Sequence, residues 1–164
     1  MNPFFLKTLQ KHLIERLADF RLEWRGEGDA PDGYGAVRIH VGDLPPKQRR
    51  PGMVGRLADS FPCVVLVPVS GESVSGEDAV SVALVCAVFC GEEGDAEAVE
   101  TDCALLLSRL RQALQPCLKQ PLDQRYRLTT DDKGRLFPWE KSDLQPRPYL
   151  QATLMTRWCM KGIE

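Results

Sequence analysis

Residues 78–118 constrain the fold more than any other stretch. The run Ala79 Val80 Ser81 Val82 Ala83 Leu84 Val85 Cys86 Ala87 Val88 Phe89 Cys90 holds no charge and no proline. Its β-branched and aliphatic content predicts a strand buried on much of both faces. Gly91, Glu92, Glu93, Gly94 and Asp95 then break the pattern with turn residues and negative charge. Beyond them, Val99, Cys103, Leu106, Leu107, Leu110 and Leu114 recur at three- and four-residue spacing, which predicts an amphipathic helix. Asp95 is placed to cap it, Asp95 and Glu97 suit its positive start, and Pro116 marks its end. Such a helix is roughly 30 Å long at about 1.5 Å per residue, enough to lie across several strands.

Upstream, residues 3–20 predict a first helix. Phe5, Leu9, Leu13, Leu17 and Phe20 form one stripe, and Pro3 suits the first turn. The opposite face mixes Lys7, Lys11, Glu15 and Asp19, which favours core packing over a membrane-surface helix. A strand over Phe20–Trp24 and a loop over 26–35 follow. Val37–Val41 alternates as a half-buried strand with His40 on its outward face. The prolines of Pro45 Pro46 Lys47 Gln48 Arg49 Arg50 Pro51 forbid regular pairing. That segment is either a solvated connector or a projecting basic arm for an acidic surface or phosphates.

Phe61–Val69 predicts a strand nearer the sheet edge, because Pro62 and Pro68 bound it. Residues 70–78 then read as a long hairpin loop into the 79–90 strand. Past the long helix, Tyr126–Thr130 and Arg135–Trp139 predict a short hairpin around the turn Asp131 Asp132 Lys133 Gly134. In the final strand, Leu150, Ala152, Leu154, Thr156, Trp158 and Met160 face one way, and Gln151, Thr153, Arg157 and Cys159 the other.

Composition narrows the chemistry. A hydrophobic fraction of 43%, a charged fraction of 27% and a net charge of −2 describe an ordinary globular chain with no general polyanion affinity. The longest uncharged apolar run, 79–91, is too short for a membrane-spanning helix, and charges interrupt the amino-terminal apolar residues, so a cytoplasmic protein is expected. The six cysteines include no C-x-x-C pair. On one strand, Cys86 and Cys90 stand about 13 Å apart; on one helix, Cys103 and Cys117 stand about 21 Å apart, beyond the roughly 7 Å a disulfide tolerates. Small buried hydrophobes explain them, although a metal site joining different elements stays open. No cofactor is expected. His12 and His40 are isolated, Ser70, Ser73 and Ser75 lack a nucleophile elbow, and no phosphate-binding loop is present. An enzyme would have to assemble its site from distant carboxylates.

Together the elements predict an α+β chain: one domain over 1–164, with a mostly antiparallel sheet of about five strands and an amino-terminal helix and one long helix packed on it. This layout resembles the tail terminator (tail-completion, minor tail protein U-like) proteins of long-tailed bacteriophages. The resemblance is carried by the helix Phe4–Phe20, the strand around Cys63 Val64 Val65 Leu66 Val67 Pro68, the unit 79–118 and the ending Arg147–Trp158. It implies a structural protein without enzymatic activity. Such a protein forms a ring, usually a hexamer, on the head-proximal end of the tail tube. There it stops polymerisation and docks to head-completion proteins, first in the host cytoplasm and then in the virion tail. Its partners would be itself, the tail tube protein and a head-completion protein, without a membrane or sequence-specific nucleic acid. Loops 26–36, 45–52 and 70–78 become candidates to order on contact. In such a ring, Lys47, Arg49 and Arg50 would pair with Glu92, Glu93 and Asp95, or with Glu72, Glu77 and Asp78, of a neighbour. Other tail tube or baseplate subunits, and a cytoplasmic small-molecule or peptide-binding module, share this texture.

Overall fold

The computed structural model describes residues 1–23, 34–42, 62–89, 96–141 and 149–162. Helix α1 (Phe5–Arg16) opens the chain. Its first turn is closed by Asn2, whose Oδ1 accepts the Phe4 N–H at 2.9 Å. It ends four residues earlier than its apolar stripe predicts. Arg21 Nη1 donates to the Ala18 carbonyl at 2.6 Å, and Arg109 Nη2 to that of Arg16 at 3.2 Å. These cations satisfy carbonyls at the helix end and let the chain turn into β1 (Arg21–Glu23). β1 pairs antiparallel with β2 (Tyr34–Ala36) as a separate two-stranded ribbon, in part of the predicted 26–35 loop.

The main sheet has six strands: β3 (Arg38–Val41), β4 (Cys63–Val74), β5 (Glu77–Phe89), β6 (Arg127–Thr129), β7 (Trp139–Lys141) and β8 (Tyr149–Lys161). Its order is β3-β4-β5-β8, with both β6 and β7 on the outer side of β8. Among the described residues, only the β3–β4 pair is parallel. The fold is therefore α+β with a largely antiparallel sheet, as the patterning predicts.

Three sequence expectations are corrected. The 61–69 strand is not peripheral, because β4 lies between β3 and β5. Pro68 is accommodated because β3 stops at the Val41–Leu66 pair and a register shift falls between Pro68 and Ser70. Residues 70–78 are not a long loop: β4 and β5 stay paired to Val74–Glu77 and turn through Ser75 and Gly76 alone. Both turn residues have positive φ, 52° and 80°, as a tight hairpin turn requires. Lastly, 126–130 and 135–139 do not form their own hairpin. β6 pairs with Arg157–Cys159 of β8, and β7 with Ala152–Leu154.

Helix α2 (Ala96–Leu114) buries Val99, Cys103, Leu106, Leu107, Leu110 and Leu114, the predicted stripe. At Pro116 it tightens into a 3-10 turn over Gln115–Leu118. α1 and α2 share one core with the sheet face formed by Val64, Leu66, Val82, Leu84, Leu154 and Trp158. Phe5 joins the layers, its ring centroid 5.0 Å from Tyr126 and 5.4 Å from Trp158. Each fully buried side chain of this size contributes about 1.5–3 kcal/mol. One polar thread crosses this core. The Thr156 hydroxyl donates to the Val82 carbonyl at 2.9 Å and accepts the Trp158 Nε1–H at 2.9 Å. Among the described residues, no helix is long and apolar enough to cross a membrane.

Candidate functional site

The nucleophile and base candidates are occupied structurally. His12 on α1 reaches the end of α2, where its Nε2 lies 2.9 Å from the Ala113 carbonyl oxygen. A carbonyl only accepts, so Nε2 carries the proton and caps the helix. Cys117 Sγ is 3.8 Å from the same nitrogen. That nitrogen has no lone pair to take the thiol proton, and burial raises the Cys117 pKa above that of a free thiol. Burial likewise raises Cys63 to about 12 and holds Cys86 well above the usual range. These thiols stay protonated near neutral pH and are poor nucleophiles. The five described cysteines, Cys63, Cys86, Cys103, Cys117 and Cys159, form no disulfide with one another; Cys90 lies outside the described residues. His40 is half-buried, and burial, with Arg38 beside it, lowers its pKa.

Carboxylates serve the turns. Asp131 accepts the Arg135 backbone N–H at 2.8 Å, Arg135 Nε at 2.8 Å and the Lys133 N–H at 3.0 Å. The Arg135 N–H is the largest influence holding its pKa below the ordinary carboxylate value. This is a closed Asp turn. Ser73 donates its hydroxyl to Asp78, which also meets the Met1 amino group at 3.0 Å. The Ser73 bond is the leading reason the Asp78 pKa is lowered. Among the described residues, no group of three His, Cys, Asp or Glu side chains is placed to hold a metal ion.

The candidate interface residues are distributed unevenly. Lys47, Arg49, Arg50, Glu92, Glu93 and Asp95 lie outside the described residues. Asp78 is buried and satisfied within the chain. Glu72, on the exposed half of β4, meets Arg157 of β8 at 2.5 Å, and Arg157 also approaches Asp132 at 3.5 Å. Exposed pairs of this kind contribute about 0–1 kcal/mol. Glu77 sits exposed at the hairpin turn and forms no ion pair among the described residues.

Two surfaces stand out that residue patterning did not mark. The first is the β4–β5 hairpin beyond Leu66. Among the described residues, β4 has a partner there on one side only, and every β4 residue from Pro68 to Val74 is exposed. Val69 and Val74 are 58% and 63% exposed, although such side chains favour burial. The second is a groove of about 250 Å³ between α2 and β7, with Cys103, Leu107 and Ala152 among its apolar lining and Trp139 as a wall. Trp139 is 57% exposed, and Lys141 pairs with Glu100 across the groove. Arg111, on its rim, forms no ion pair among the described residues. A Val-rich run ending in Ser-Gly was the available signal for the hairpin; the groove, built from positions about thirty residues apart in the chain, had none.

Comparison with models of known protein families finds no match for this chain, and comparison with curated protein sequences finds none.

Proposed function

We propose that this chain is a structural assembly protein of a bacteriophage or prophage tail, acting as a terminator. In this reading it forms a ring, hexameric as in the proteins it resembles, on the head-proximal end of the tail tube. It stops tube polymerisation and presents a docking face to a head-completion protein. The observation that carries the reading is the exposed β4 side of the β4–β5 hairpin beyond Leu66, with exposed Val69 and Val74. A head-to-tail ring needs two different complementary patches on each subunit. The hairpin and the α2/β7 groove are two different patches on one chain. Protonated thiols, a capping histidine and turn-bound carboxylates fit a structural role better than catalysis.

Light scattering across protein and salt concentration, with negative-stain imaging and a tube-growth assay, tests the reading. The expected result is ring-sized particles and tail tubes whose growth stops when the protein is added. A monomer at every concentration, with tubes elongating unchecked, overturns it. The groove beside Trp139 favours one second reading, a peptide-binding module. That reading predicts a monomer or dimer that binds apolar peptides and leaves tubes unaffected.

A further inference from the structure

We infer that the tip of the β4–β5 hairpin of one copy inserts into the α2/β7 groove of a neighbouring copy. The inference rests on the assembly reading and specifies its contact.

The tip is preorganised. Its turn is the two residues Ser75 and Gly76, and the Gly162 N–H braces it from β8 by donating to the Gly76 carbonyl at 2.8 Å. Behind the turn, Ser73 and Asp78 are hydrogen-bonded to each other and Asp78 is buried. A hairpin held this way loses little further entropy on docking. It presents Val74 and Glu77 on either side of the turn, the first apolar and exposed, the second an exposed carboxylate that forms no ion pair among the described residues, with Lys161 as its cross-strand neighbour.

The groove offers the complement. Leu107 and Ala152 give an apolar floor, Trp139 an exposed aromatic wall, and Arg111 an exposed guanidinium at the rim that forms no ion pair among the described residues. Exposed tryptophan and arginine beside an apolar recess are typical binding anchors. Val74 against Trp139, with Glu77 against Arg111, satisfies both the apolar and the charged remainder of each surface.

The occupant is a second copy, because the tip cannot reach the groove of its own chain. Lys161 of β8 pairs with Glu77 at the hairpin turn, and Ala152 of β8 lines the groove beside Lys141. These positions are nine residues apart on one continuous strand, about 30 Å at about 3.3 Å per residue. With one tip and one groove per copy, each contact leaves a free tip and a free groove. The assembly therefore grows head to tail until it closes. A contact limited to a hairpin tip lies below the size of a permanent interface, so association depends on concentration.

Sedimentation velocity on the wild-type chain and on Val74→Asp, Arg111→Glu and Glu77→Arg/Arg111→Glu tests this. The substituted side chains are exposed, and circular dichroism confirms that each variant is folded. Wild type is expected to associate with rising concentration. Val74→Asp and Arg111→Glu each weaken association by roughly tenfold or more, the scale of a like-charge or desolvation penalty at a contact. The double charge swap restores it. Mixing Val74→Asp with Arg111→Glu pairs one intact groove with one intact tip and gives a 1:1 complex that grows no further. Wild-type association that neither single substitution weakens overturns the inference and leaves the assembly reading standing. A wild-type chain that is monomeric throughout also overturns the inference, and tube capping then decides the assembly reading separately.

Discussion

Replacing Thr156 by Val tests whether the polar thread in the core locks the root of the hairpin. Thr156 is 4% exposed and Trp158 0%, so water cannot replace a lost partner. The substitution removes the acceptor of the Trp158 Nε1–H and the side-chain donor to the Val82 carbonyl. An orphaned buried donor costs about 1–3 kcal/mol. The extra methyl group offsets part of this, up to about 0.8 kcal/mol, which leaves a net loss near 1–2 kcal/mol. Trp158→Phe removes the donor instead and pays for a smaller ring, also about 1–3 kcal/mol, while Thr156 keeps its bond to Val82. In that background Thr156→Val no longer strands an indole N–H. The double variant should therefore be more stable than the sum of the two single losses by about 1–2 kcal/mol. Urea and thermal unfolding followed by circular dichroism measure this. For a domain of this size each kcal/mol moves the midpoint by about 2–4 °C, so the coupling should appear as roughly 2–8 °C. Losses that add within about 0.5 kcal/mol would refute the claim that the two side chains act as one unit.

Three further outcomes are expected. Phe5→Ala, which empties the ring contact with Tyr126 and Trp158, should cost about 3–5 kcal/mol in the same unfolding assay. Gly76→Ala places a Cβ at φ 80° and should destabilise by about 1 kcal/mol, whereas Ser75→Asn suits the left-handed position and should be neutral or stabilising. Because the folded pKa of Asp131 is depressed, its stabilising effect is complete above the unfolded value and is lost as pH falls through the lower folded value. Carboxyl NMR titration should place its midpoint below that of an exposed aspartate, and Asp131→Asn should flatten the acid limb of the stability profile; an ordinary midpoint would contradict the turn geometry.

The elements that sequence reading recovered are those packed on the shared core. In α2 and β8 the helix layer enforces a period, so Leu106, Leu110, Leu154 and Trp158 announce themselves. The hairpin extension escapes that logic. From Pro68 to Val74 neither face of β4 is buried, so selection for alternation is absent and Ser70 Gly71 Glu72 Ser73 reads as loop. Its turn uses Ser75 in a left-handed conformation, where Asn or Gly would have been a clearer sign. Tyr126–Thr130 and Arg135–Trp139 read as partners because short strands either side of a turn rich in Asp and Gly usually pair. Their actual partner, β8, is chosen by contacts about fifteen to thirty residues away, and Phe137 at φ 53° bends the chain between them. Trp139 was legible as a strand residue, and its adjacency to Arg111 of α2 was not.

The hairpin also carries features that decide how it can be used. A strand edge with exposed valines invites pairing with any other edge, which proteins suppress with proline, bulges and charge. β4 carries all three just past the end of β3: Pro68, the register shift before Ser70, and Glu72 held beside Arg157. Each interrupts the regular ladder that lateral strand addition requires. None of them obstructs the tip, where Val74 is exposed and the turn is braced by Gly162. A surface guarded along its side and open at its end favours insertion into a recess over strand-to-strand pairing. Insertion is also the more selective geometry for an assembling protein, because a groove admits one tip of matching shape and charge, whereas an open edge accepts strands of many sequences and registers.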